Sequence, residues 1–408
     1  MSATSTTTGT GYDPSALPYS PIQPDVLDDP AAAYARLRAQ CPVHRSDAFD
    51  PPLYSLAERS DLGPALRDHD LWSNRQGPGI GYSNSVGDMQ HDDPPEHDQR
   101  REFARNWFVP PAVAVLEPQL RELARSLAGD ILPAGEAELY SQFALPLPVT
   151  SFCAVMGVTL DDRARFVDWA DQMTEAMAYP ERGAQARRDL SAFTMAEIER
   201  RRTAADAGET LPAGLLSHLA TAPYTEAGER MPAVEVVSMV NQLLIAGQET
   251  TTSLITNCVW RLLEDRDVRW ERVVADPSLV PNAIEESLRF DPPVLGLCRT
   301  NNVDTEVGGV EIPAGSKVMM LYASANRDPK VFAAPDEFRV DRPVLEAMRH
   351  YSFSWGIHYC LGAHLARLTA RVALDVLVHT MPGLRLAGPT TRVPSPFLWG
   401  RKTLPVRW

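Results

Sequence analysis

Residues 353–367 constrain this chain more than any other stretch. They read Phe353-Ser-Trp-Gly356-Ile-His358-Tyr-Cys360-Leu-Gly362-Ala-His-Leu-Ala-Arg367, a glycine-bearing loop that delivers one cysteine to the start of an amphipathic segment running to about His379. A cysteine placed just before a helix faces unpaired N–H groups and the positive end of the helix dipole, which favours its thiolate. Gly356 and Gly362 lack the β-carbon that would keep the backbone away from a flat ligand. A lone cysteine is usually a small, inert, buried side chain. These fixed positions together, however, arise by chance on the order of once in ten thousand chains of this length at average residue usage.

The rest of the composition narrows the alternatives. The other four cysteines, Cys41, Cys153, Cys258 and Cys298, are scattered and form no CxxC pair, which argues against a disulfide framework or a structural zinc site. A net charge of −14 repels nucleic acid and anionic membrane at long range, so neither is an expected partner. No run approaches the roughly 18 apolar residues needed to cross a bilayer. Residues 1–12 are rich in Ser, Thr and Gly, without a basic start or an apolar stretch; residues 1–15 therefore read as a disordered tail, not a signal peptide, and a cytoplasmic location is expected.

Along the chain, Ala and Arg dominate a short helix over 30–40, a strand is expected at Leu53-Tyr54, and residues 76–87 form a Gly/Ser-rich loop. A helix should begin after Pro94-Pro95 and run over 96–108, and most of 111–220 has helical periodicity. Residues 231–264 form the longest apolar helical run, and a further helix over 281–290 ends at Asp291-Pro292-Pro293. Residues 303–322 alternate around Gly308-Gly309 and read as a β-hairpin, and 399–408 as a closing strand. The expected fold is mainly α with small β-sheets, in a single domain over 16–408. One feature of the long helix is anomalous: Gly247 and an unbroken polar run, Gln248 to Thr251, interrupt its apolar interior.

With its FxxGx(H/R)xCxG pattern at Phe353, Gly356, His358, Cys360 and Gly362, the chain resembles the cytochrome P450 family from about Leu27 to Trp408, departing from common usage in the bulky Trp355. The resemblance implies a haem held between the long helix and the cysteine loop. Haem b (iron protoporphyrin IX) would be the cofactor, with Cys360 as axial ligand, its thiolate pushing electron density toward O–O cleavage. Phe353 would shield the sulfur. The family's ExxR element appears as Glu286-Ser-Leu-Arg289, a pair sharing one helix face. With Arg342 in the position of a third member, it would have a structural role. Ala246-Gly247-Gln248-Glu249-Thr250-Thr251 resembles the oxygen-activation motif. Thr250 can bond the carbonyl of Ala246 and open the helix locally. Glu249 would pass protons from solvent to it. His97, Arg101, Arg299 and His358 match positions that bind haem propionates, whereas Arg100 and Arg105 should face solvent.

The activity implied is insertion of one oxygen atom of O2 into a hydrophobic small molecule by hydroxylation, O-dealkylation or epoxidation. Electrons would come from a ferredoxin and its NAD(P)H-dependent reductase. Arg105, Arg349, His350 and Arg367 are candidates for a basic docking patch. The substrate pocket would gather from residues 76–89, 173–177, 243–246, 294–297 and 397–398, with Leu243, Val294, Leu297 and Phe397 as its lining. Two alternatives stay open: a peroxide-using or isomerising haem-thiolate enzyme, and a non-catalytic haem sensor.

Overall fold

The computed structural model describes residues 13–83, 85, 87–175 and 180–408. Helices dominate it, and the longest, Ala233–Glu264, begins directly after Pro232. Its two halves present different apolar stripes. Val236, Met239, Val240 and Leu244 repeat at helical spacing and pack into one hydrophobic core with Phe152, Phe166, Leu190 and Leu216. Leu254, Ile255, Cys258, Val259, Leu262 and Leu263 face a second core, built with the helices Glu117–Ile131 and Ala363–Thr380. Between the halves, Ala246 and Gly247 are exposed although the helix around them is largely buried. A β-carbon added to Gly247 would meet no described atom within 4 Å. The polar run therefore marks the place where one helix passes from one core to the other along an open face.

The cysteine segment bridges the same two cores. Tyr359 and Cys360 lean on the second core and Leu361 on the first, while Leu365 touches both. Two elements, the middle of the long helix and the loop carrying Cys360, thus border the seam between the cores.

A five-stranded sheet lies apart from these helices, with strand order Val43–Ser46, Leu53–Leu56, Lys317–Met320, Leu297–Asn301, Trp72–Ser73. This corrects the reading of 303–322 as a single hairpin. Thr305–Val307 and Val310–Ile312 do pair around Gly308 and Gly309, both at positive φ, as such a tight turn requires. Lys317–Met320, however, leaves that hairpin and pairs parallel with Leu53–Leu56 and antiparallel with Leu297–Asn301. All four of its residues are buried, which suits an interior strand covered on both faces. The closing strand is two strands, Arg401–Thr403 and Pro405–Arg407; the second pairs with Glu136–Glu138 and brings the end of the chain beside the middle helices. Of the expected tail, residues 1–12 lie outside the described residues, and the Pro14 carbonyl accepts from the Arg45 N–H at 2.8 Å.

What positions the cysteine loop is a buried ionic cluster. Glu286, Arg289 and Arg342 are each 0% exposed. Arg289 pairs bidentately with Glu286, both contacts at 2.8 Å, and Arg342 Nε donates to the same carboxylate at 2.9 Å. The remaining Arg289 donors reach the carbonyls of Asn326, Pro335 and Glu337, so all five of its N–H groups are used. Arg342 takes the carbonyls of Ala333 and Ala334 and the carboxylate of Glu346. Surface ion pairs of the same spacing contribute little; this one is dry, and each partner is needed to keep the others from being stranded as unpaired charge. Glu286→Gln should therefore destabilise the protein by about 3–5 kcal/mol, read by chemical denaturation, and a loss under 1 kcal/mol would contradict this assignment.

Candidate active site

Cys360 sits between a 3-10 turn, Gly356–His358, and the helix Ala363–Thr380. Its N–H donates to the Phe353 carbonyl at 2.8 Å, which closes the loop on itself. Gly356 has φ +76, and an added β-carbon would lie 2.5 Å from the Leu66 carbonyl oxygen. Its left-handed conformation and the helix Arg59–Arg67 packed against it each require glycine at this position. Gly362 differs, since a β-carbon there would meet no described atom within 4 Å.

The electrostatics at the sulfur are mixed. Burial pushes the Cys360 thiol up, while the Gly362 N–H and the cations Arg101 and Arg367 pull in the opposite direction. Coordination to a metal ion deprotonates such a thiol outright.

The four donors expected around a haem, Arg101, His97, His358 and Arg299, converge on this loop. Arg101, on the helix Glu96–Arg105, donates to the Tyr359 carbonyl at 2.7 Å. The rings of His97 and His358 stand 4.5 Å apart. Each has a buried Nε2 with no hydrogen-bond partner among the described residues. Arg299, 3% exposed, donates to the Trp72 carbonyl at 3.3 Å. Burial, with Arg299, His97, Arg101 and His69 nearby, pushes His358 down to about 2. The unpartnered Nε2 atoms of His97 and His358, set beside the guanidiniums of Arg101 and Arg299, make a site that calls for anions. The donor set and the open faces at Gly247 and Gly362 fit a flat, doubly carboxylated ligand such as haem b. His69, whose Nδ1 is also buried without a partner, belongs to this cluster and went unnoticed in the sequence, because no motif contains it.

Across the seam, Thr250 Oγ1 donates to the Ala246 carbonyl at 2.6 Å, as expected, but the helix continues unbroken through this point. Glu249 is 2% exposed. Its carboxylate accepts from Tyr140 Oη at 3.2 Å and from Ser253 Oγ at 2.9 Å.

Several expectations are corrected by burial. Arg100 does not face solvent: it is 7% exposed and held by Asp92 at 2.7 Å and Glu235 at 2.9 Å. His350 is buried against Glu285 at 3.2 Å, and Arg367 pairs with the same carboxylate at 2.6 Å with its guanidinium 4.5 Å from the Phe353 ring centre. Neither is a free docking charge; both brace the cysteine loop. Arg105 and Arg349 remain exposed, Arg105 paired with Glu102 at 2.8 Å. Leu243, Val294, Leu297 and Phe397 are all half-buried, and Val294 bridges to Leu398. Met173 is buried, and residues 176–177 of that expected pocket segment lie outside the described residues.

With this geometry in place, comparison with known proteins is direct. The Cytochrome P450 family profile matches residues 178–381. The chain is 33% identical over 414 residues to Cytochrome P450 monooxygenase PikC of Streptomyces venezuelae, covering 98% of this chain and 96% of that one. It is 35% identical over 368 residues to the Vitamin D(3) 25-hydroxylase of Pseudonocardia autotrophica, covering 88% of each. The solved structure of CYP109Q5 from Chondromyces apiculatus is similar with a TM-score of 0.80 at 33% identity, over 95% of this chain and 97% of that one. This chain belongs to the cytochrome P450 family. Its general activity is the haem-thiolate monooxygenation typical of bacterial members, and membership implies haem b. No helix among the described residues is long and apolar enough to cross a membrane.

Glu285, beside the ExxR glutamate, is the bracing residue that the motif conceals. Burial alone would raise its carboxyl, but His350 and Arg367 outweigh burial and take it from an ordinary 4.5 to about 2. Because the folded value is depressed, the stabilisation is complete above the ordinary carboxylate range and disappears as pH falls from about 4.5 towards 2. Wild type should therefore exceed Glu285→Gln by roughly 3 kcal/mol near pH 6, and the gap should narrow across that window. Denaturation at several pH values checks this; a gap that is constant down to pH 2 would contradict it.

Proposed function

We propose that this chain inserts one oxygen atom of O2 into a hydrophobic small molecule, by hydroxylation, O-dealkylation or epoxidation. The observation that carries this reading is the Thr250–Ala246 bond beside an open turn, on the helix that also bears Glu249. Haem b, its iron held by the Cys360 sulfur, would supply the activation of dioxygen and the transfer of the oxygen atom. His97, Arg101, Arg299 and His358 would hold its propionates, and Phe353 and Arg367 shield and brace the sulfur.

Thr250 gives its own hydrogen to the Ala246 carbonyl, so its oxygen faces the open turn as an acceptor. It can there hold a water or a protonated oxygen in place while Glu249, the adjacent acid, replenishes the proton. A peroxide-using or isomerising enzyme, or a haem sensor, has no need of this pair. Leu243, Val294, Leu297 and Phe397 would line an apolar substrate pocket. Relatives named for vitamin D(3), erythromycin and steroid oxidation support a bulky hydrophobic substrate. Electrons would come from a ferredoxin and its NAD(P)H-dependent reductase, docked near Arg105 and Arg349.

The test begins with a compound screen for the blue shift of the Soret band that accompanies displacement of iron-bound water. With a compound so found, Thr250→Ala should keep consuming reductant, yet yield at least about tenfold less product per electron, the difference appearing as peroxide. Unchanged coupling would overturn the reading.

A further inference from the structure

Beyond Glu249, a chain of hydrogen bonds continues to the protein surface. Tyr140 Oη, on a side chain only 3% exposed, donates to Glu249 at 3.2 Å and lies 3.3 Å from Asp171. Lys402 Nζ donates to the Tyr140 oxygen at 3.0 Å, sits 4.6 Å from the Tyr140 ring centre and is also paired with Asp171. Lys402 and Asp171 are the wet end: their side chains are 21% and 38% exposed. Four separate elements supply this line: the long helix, the π-helical turn Tyr140–Ala144, the helix Arg163–Glu175 and the strand Arg401–Thr403. A π-helical turn is rare and is frequently found at a functional site.

The direction of the bonds is what gives the line a function. With Asp171 already paired to the ammonium, the tyrosine hydrogen points to the remaining acceptor, Glu249, and the tyrosine oxygen accepts from Lys402. Burial, reinforced by Glu249 and Asp171, holds the Tyr140 hydroxyl well above the usual tyrosine range, so it stays a neutral donor–acceptor.

We propose that Lys402 and Tyr140, oriented by Asp171, are the port through which solvent protons reach Glu249. In one transfer a Lys402 N–H proton moves to the Tyr140 oxygen as the Tyr140 hydrogen moves to the Glu249 carboxylate, and water reprotonates Lys402. One proton has then passed from solvent to Glu249, and nothing is oxidised or reduced. The proposal rests on the monooxygenase reading above and deepens it: it names where that site's protons enter.

The test needs no known substrate. The haem-loaded enzyme, supplied with NADPH and a surrogate ferredoxin and reductase, is followed for oxygen consumption and for peroxide released, in H2O and D2O. Tyr140→Phe should slow oxygen consumption about tenfold, raise the peroxide share and enlarge the solvent isotope effect, with haem content and melting temperature unchanged. Lys402→Met should do the same, and so should Lys402→Arg, whose guanidinium keeps the charge but does not give up a proton; the double variant Tyr140→Phe with Lys402→Met should be no slower than Tyr140→Phe. Wild-type behaviour in both single variants, additive losses in the double variant, or a slowing that only tracks lost haem would overturn the port while leaving the monooxygenase reading intact. A wild-type enzyme that consumes no oxygen would overturn both.

Discussion

Two adjacent carboxylates hold this structure's chemistry in place. Glu286 draws Arg289 and Arg342 into a fully dry cluster whose outer donors fasten the carbonyls of 333–337, the segment that leads into the cysteine loop. Glu285 reaches forward, taking His350 from one side of that loop and Arg367 from the other. Buried ion pairs are weak evidence of stability, because desolvation offsets attraction. What they supply here is position: the loop has little regular structure and would otherwise be held mainly by Phe353 and the turn at Gly356.

The second constraint is the division of the long helix between two cores. An apolar stripe that continued through residues 246–250 would fuse the cores and close the seam. Ala246 and Gly247 leave that turn open while Gln248 and Glu249 beside them are buried, and the cysteine loop borders the same seam. The local rule broken in the middle of the helix therefore marks the site, as expected where packing yields to function.

How much of this the sequence disclosed depends on whether a feature is local. The cysteine loop, the ExxR pair and the Ala246–Thr251 turn each lie within a few residues, so their spacing was readable, and the major helices followed from periodicity and proline positions. The placement of Lys317–Met320 was not readable, since its parallel partner lies more than 250 residues earlier and alternation within 303–322 suits a hairpin equally well. Charge misled in the same way. Arg100, His350 and Arg367 are polar types that are mostly exposed, and only the positions of Glu235 and Glu285 reveal that they are braces. Tyr140, Asp171 and Lys402 share no spacing at all; the fold alone assembles them beside Glu249.

All of the proposed chemistry presumes that sulfur from residue 360 grips iron. The direct measurement is the absorption spectrum of the purified, haem-loaded, reduced protein under carbon monoxide, taken beside a Cys360→His variant. The account requires the long-wavelength Soret band that thiolate ligation produces in the native chain, and its loss to the shorter-wavelength position in the variant. A native chain that shows the shorter-wavelength band, or that takes up no haem, would contradict it.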